Sequence, residues 1–240
     1  MATRAARGFG QYSGVARAIE RVGERWALLI VRDLLAGARR YSDLKSGLPR
    51  IPTNILSDRL KELQEAGVIR RVPTVRGGYE LTALGRALEP VVLELERWGW
   101  AALGAPAEGE LLTADALAVA LRAAFQADAS RALPRTEYVL HVGDVSVSAM
   151  VDAGRLDVIP VGPGALPQPR RRLEGAAGAA DLLELTVETA RFLTVFDPGS
   201  PAVGVLVGGD DLLARFRRTF RVPPGPGADS VGAADETSVA

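Results

Sequence analysis

The chain of 240 residues has no cysteine and a single histidine, His141. Without cysteine there is no disulfide, no thiol redox switch and no cysteine-ligated zinc. One histidine does not make a compact histidine metal site. No apolar run approaches the roughly 18–20 residues needed to cross a bilayer. The opening MATRAARGFGQYSG carries Arg4 and Arg7 but no apolar stretch behind them, so it does not read as a secretory signal. The expectations are a cytoplasmic protein with no cofactor, no metal and no membrane partner. Formal net charge is also missing, because 29 Lys+Arg balance 29 Asp+Glu. Taken as a total, that speaks against nucleic acid.

The distribution of charge reverses this. Residues 1–103 hold 17 Lys+Arg against 11 Asp+Glu, a net of +6; residues 104–240 hold 12 against 18, a net of −6. Beyond about 8 Å, screening makes local charge matter more than the total. A basic half and an acidic half suggest two jobs. With 48% apolar residues the chain can bury a sizeable core, and its length suits one large domain or two ordinary ones.

In the basic half the informative stretch is PRIPTNILSDRLKELQEAG, Pro49 to Gly67. Pro52 suits a first helical position, where its missing N–H costs nothing. Leu56, Leu60, Leu63 and Gly67 share one face by helical spacing, so that face packs inward. Thr53, Asn54, Ser57, Asp58 and Lys61 fall elsewhere, and short polar groups with one cation suit base edges in a major groove. A solvated surface helix has the same pattern. The next residues favour DNA. Val68–Val72 reads as a strand, 73–78 as a turn and Tyr79–Thr82 as a returning strand, with Arg76 at the tip. Helix then basic hairpin is the layout of a winged helix-turn-helix.

Upstream, Val15–Gly23 and Arg25–Ala36 read as helices, the second anchored by Trp26 in the core. Tyr41–Leu48 reads as a short positioning helix with Ser42 as N-cap. Arg39, Arg40, Lys45 and Arg50 therefore lie near the recognition helix as candidate phosphate contacts. Downstream, Thr82 caps one long helix from Ala83 to Leu103. Its stripe Leu88, Val91, Val92, Leu95 and Trp98 is a candidate homodimer interface, which would set two recognition helices on two half-sites.

These segments, VARAIERVGERWALLIVRDLLAGARRYSDL, IPTNILSDRLKELQEAGVIRR and YELTALGRAL, resemble the HxlR-type family of bacterial winged-helix regulators, relatives of the MarR group. The resemblance runs from Ser13 to Gly99. It implies a homodimeric transcriptional regulator bound to double-stranded operator DNA, with Thr53, Asn54, Ser57, Arg59 and Lys61 on the recognition element and Arg76 on the wing. Many relatives have a cysteine where this chain has Ser13, so a thiol switch is excluded.

The expected domains are a flexible arm at 1–12, a winged-helix DNA-binding and dimerisation domain, mainly α, at 13–104, a linker at 105–112, an α+β domain at 113–222 and a disordered tail at 223–240. In the α+β domain a helix spans 113–127, and strands cover 137–142, 145–152 and 155–160. A mainly helical stretch runs 178–196, followed by a strand at 203–207 and a closing helix at 210–220. The V-x-V-x-A hairpin and the ending VGVLVGGDDLLARFRRTFRVP resemble the sterol-carrier-protein-like domain: a small sheet packed by helices around an apolar tunnel. The resemblance places Leu140, Met150, Leu183, Phe192, Phe196 and Phe216 on that tunnel, with a small hydrophobic or lipid-like effector; plain core is the competing reading of each. Arg170, Arg171 and Arg172 form a basic run that suits a solvated loop, a DNA flank or an anion clamp. Enzymatic chemistry is not expected, because no nucleophile motif accompanies His141. The alternatives are a winged-helix protein–protein interaction module, or a lipid-binding protein without regulated DNA binding.

Overall fold

The computed structural model describes residues 8–73, 77–161, 180–197, 200 and 203–222. They form two compact units, the first running to Val92 and the second starting at Leu93. Among the described residues no helix is long and apolar enough to cross a membrane.

The first unit contains α1 (Gly14–Val22), α2 (Ala27–Leu35), α3 (Tyr41–Gly47), α4 (Thr53–Glu65), β1 (Ile69–Val72), β2 (Gly78–Leu81) and α5 (Ala83–Arg86). Ser13 caps α1, its Oγ accepting from the Ala16 N–H at 3.0 Å. Leu56, Leu60 and Leu63 turn one face of α4 inward, onto a core that includes Ile30, Leu34, Leu44 and Ile51, all at most 1% exposed. Each such side chain contributes about 1.5–3 kcal/mol of burial. α4 stops where expected. Gly67 is left-handed at φ +72°. The Val68 N–H then reaches the Leu63 carbonyl at 2.9 Å and the Gly67 N–H the Gln64 carbonyl at 3.0 Å. β1 and β2 pair antiparallel, Ile69 opposite Leu81 and Val72 opposite Gly78.

Three local expectations need correction. Pro52 is the N-cap of α4 with extended backbone, one residue outside the helix. The N-cap of α3 is Arg40, not Ser42; the Asp43 carboxylate reaches back to the Arg40 N–H at 2.7 Å. The helix expected over 83–103 is divided into α5, α6 (Glu89–Gly99) and a 3-10 turn at Trp100–Ala102. Pro90 explains the first break: it has no N–H for the Arg86 carbonyl, and its ring crowds that carbonyl. Thr82 caps α5 as expected, accepting from the Gly85 N–H at 3.2 Å.

The second unit is α+β. It holds α7 (Ala114–Ala124), α8 (Ala127–Ser130), β3 (Thr136–Val142), β4 (Val145–Asp152), β5 (Arg155–Val161), β6 (Asp181–Val187), a 3-10 segment at Thr189–Phe196, β7 (Gly204–Val207) and α9 (Asp210–Thr219). The sheet order is β5-β4-β3-β6-β7. β3 and β6 run parallel and the other neighbours antiparallel. One face carries Tyr138, Leu140, Val147, Ala149, Leu183 and Leu185, all at most 1% exposed. α7 packs on β4 and β5. α9 brings Phe216 and Phe220 edge-on to Tyr138, with ring centroids at 5.3 and 5.6 Å. The described part of the stretch expected as helix over 178–196 is instead β6 and the 3-10 segment. Leu183, Leu185 and Val187 are buried in alternation, the period of a strand.

Candidate nucleic-acid interface

The outward face of α4 is Thr53, Asn54, Ser57, Asp58 and Lys61, all exposed. Nothing acidic lies in its first turn. The supports of its N-terminus come from α3 and the turn after it. The Tyr41 hydroxyl donates to the Thr53 carbonyl at 2.9 Å and lies 3.4 Å from Ser57 Oγ. Ser57 Oγ also returns to the Thr53 carbonyl at 3.1 Å. Lys45 Nζ donates to the Pro49 and Ile51 carbonyls at 3.2 and 2.8 Å, bracing the turn between the helices. Tyr41 is not among the sequence candidates; the signal available for it is its place at the start of α3, twelve residues before the start of α4.

The basic candidates separate into two groups. Arg40, Arg50 and Lys61 are exposed around the α4 face. Arg39, Lys45 and Arg59 are committed inside the unit. Arg39 is 4% exposed, and its backbone pairs with Tyr79, extending the wing sheet by a bridge. Arg59 pairs with Glu62 at 2.5 Å and Glu24 at 3.3 Å. On the wing, Arg70 pairs with Glu80 directly across the strands. Arg71 lies over the Tyr79 ring, 5.5 Å from its centroid. Arg76 lies outside the described residues, as do Arg170, Arg171 and Arg172.

On α6, Val91, Leu95 and Trp98 are 49%, 45% and 72% exposed, while Val92 is buried and Leu88 half-buried. Spacings of four and three residues align the exposed three on one face. Leu84 of α5 is exposed too.

In the second unit, Leu140, Leu183, Phe192, Phe196 and Phe216 are buried together. Phe196 stacks on Phe216 at 6.1 Å and meets Phe192 edge-on at 5.6 Å. Met150 is not with them. It stands opposite Glu137 in the β3–β4 register, whereas Leu140 stands opposite Val147, so Met150 projects from the other sheet face. That other face also carries His141, bonded through Nδ1 to Ser146 Oγ and through Nε2 to Glu184 Oε1, both at 2.7 Å. His141 and Ser146 are directly paired across β3 and β4.

Comparison with known proteins places the first unit. Residues 21–105 match the HxlR-like helix-turn-helix family. The chain is similar to the uncharacterized HTH-type transcriptional regulator YvaP of Bacillus subtilis, 41% identical over 86 residues that make up 34% of this chain and 80% of that protein. It is 45% identical over 89 residues to an HTH-type transcriptional regulator of Mycobacterium tuberculosis, covering 35% of this chain and 56% of that relative, so the chain spans about half of its length. Among solved structures, quinone-bound YodB from B. subtilis is 32% identical, over 36% of this chain and 94% of that one, with a TM-score of 0.33.

Proposed function

The chain belongs to the HxlR-like helix-turn-helix family of transcriptional regulators, and from that premise we propose that it binds operator DNA as a homodimer, through the outward face of α4. Its role is regulatory and not catalytic. The observation that carries the reading is that face itself: Asn54, Ser57, Asp58 and Lys61 stand free of the core that Leu56, Leu60 and Leu63 make on the opposite side. Arg40 and Arg50 flank it as phosphate contacts, and Thr53 joins it at the helix start. Reversing Arg40, Arg50 and Lys61 together to glutamate should abolish binding to a duplex selected by the wild-type protein from a random library. Retained binding of the triple variant, read by fluorescence anisotropy, would refute this assignment. The exposed row Val91, Leu95 and Trp98 supports the homodimer, since an apolar stripe of this kind gains by meeting its own copy across a two-fold axis.

The second unit is the proposed effector domain, a sterol-carrier-like fold with a hydrophobic molecule held near Phe192, Phe196 and Phe216. Apolar side chains of sheet and helices converge there, the setting in which such ligands are held. The ligand must favour one of two conformations to change DNA affinity. Native mass spectrometry followed by extraction tests occupancy, and equal operator affinity with and without the extracted molecule would exclude regulation by it.

A further inference from the structure

Beside α4, in the first unit, lies a cleft of about 390 Å³ lined by Glu24, Arg25, Trp26, Arg50, Pro52, Ile55 and Arg59. Three arginines and one glutamate are among its lining residues. That glutamate, Glu24, is already engaged by Arg59 at 3.3 Å, and Arg59 is held further by Glu62. Arg25 is exposed, its guanidinium carbon 5.4 Å from the centroid of the Trp26 ring. Trp26, Pro52 and Ile55 supply its apolar lining. The cleft therefore combines positively charged and apolar lining residues.

Its position on the helix matters as much as its lining. Ile55 and Arg59 are one turn apart and occupy the flank of α4 between the buried leucines and the outward face. A helix about 10–12 Å across fills a major groove about 12 Å wide, so its flanks come against the sugar–phosphate walls of the groove. A wall presents an anionic phosphate beside an apolar deoxyribose. The cleft offers guanidinium groups beside an indole and an isoleucine. Pro52 has no side chain that caps α4, so the first amides of that helix add donors on the same side.

We propose that this cleft seats a backbone phosphate and its neighbouring sugar at the edge of the bound major groove, with Arg25 as a DNA-contacting residue alongside Arg50. The inference rests on the DNA-binding reading above and adds to it a residue and a docking surface outside the recognition face. The same chemistry would also accept a free oxyanion on a flat apolar group, and the test separates the two sources.

The experiment compares the full-length wild type with Arg25→Ala and Arg25→Lys on the library-selected duplex, across a salt series. Arg25 is exposed, so the variants should keep the wild-type melting temperature. Expected for Arg25→Ala is a loss of about tenfold in affinity that is the same for selected and scrambled duplexes, with a log–log salt slope smaller by about one. Arg25→Lys should recover most of the affinity and the slope. A wild type that binds while Arg25→Ala matches it in affinity and slope overturns the cleft proposal alone. A wild type that binds no duplex overturns the DNA-binding reading, and the cleft proposal with it. Calorimetry with inorganic phosphate and with benzoate is the second arm: tight wild-type binding to either, lost in Arg25→Ala, together with unchanged duplex affinity, would assign the cleft to a free anion and overturn the backbone seat.

Discussion

Lys45 is a cation in the right neighbourhood that the fold has turned inward. Both its contacts are backbone carbonyls of the turn leading to α4. Lys45→Met keeps the aliphatic stem and removes those two bonds. It should cost about 1–3 kcal/mol of stability in urea unfolding, while leaving the salt slope of duplex binding unchanged; a changed slope would make Lys45 a phosphate contact. Tyr138 supplies a pH prediction. Burial raises its hydroxyl pKa above the ordinary 10.0, against hydrogen bonds from Thr219 and Thr136 that lower it. A raised folded-state value means stability that is complete below pH 10 and falls as pH climbs through the folded-state pKa, because the unfolded chain loses the proton first. Tyr138→Phe should flatten that alkaline decline, measured as the urea midpoint from pH 8 upward.

Elements carry their own tests. Gly85 in α5 sits so close to the chain end of the α4 stop that a Cβ there would lie 2.2 Å from the Val68 carbonyl oxygen. Gly85→Ala forces backbone apart and should destabilise by about 1–3 kcal/mol, as overpacking does, despite alanine's better helix propensity; a stabilised variant would show that α5 is free to move. On α6, Trp98→Glu puts a charge into the exposed apolar row. If that row is the homodimer interface, sedimentation equilibrium should shift from twice the 25.3 kDa chain mass to the single chain, and an unchanged mass would move the interface elsewhere. These elements also mark the reach of sequence reasoning. The recognition helix was legible because its leucines, its proline and its glycine stop lie within one short stretch. The division of the helix after α5 was legible in principle from Pro90, whose effect is local. β6 was not. Leu182, Leu183 and Leu185 fit a helical face nearly as well as a strand, and only pairing with the distant β3 decides between them.

At the scale of the whole molecule, charge is divided between a basic N-terminal half and an acidic C-terminal half. Binding to DNA should therefore be steep in salt although net charge is zero: for six phosphates neutralised per dimer the log–log slope is about −5. A slope near zero, read from anisotropy titrations between low and moderate salt, would count against a phosphate-dominated interface.

Local pattern is enough for the family, the order of the winged-helix elements and the outward residues of α4, because helical period and turn residues survive without knowledge of the fold, whereas the caps of α3 and α4 do not follow from it. Tertiary structure decided which cations remain at the surface. Arg39, Lys45 and Arg59 look like Arg40, Arg50 and Lys61 in the sequence, yet the fold covers the first three wholly or in part and leaves the last three exposed. It also decided that Met150 and Leu140 look out from opposite faces of one sheet, and that Arg25, Trp26 and Ile55 share a cleft. Side-chain direction in a paired strand follows from register, and the commitment of a long charged side chain follows from which carboxylate or carbonyl the fold brings within reach. Strand register joins residues far apart in the chain, and so do the bridge of Arg39 to Tyr79 and the pair of Arg59 with Glu24, where local pattern carries no information.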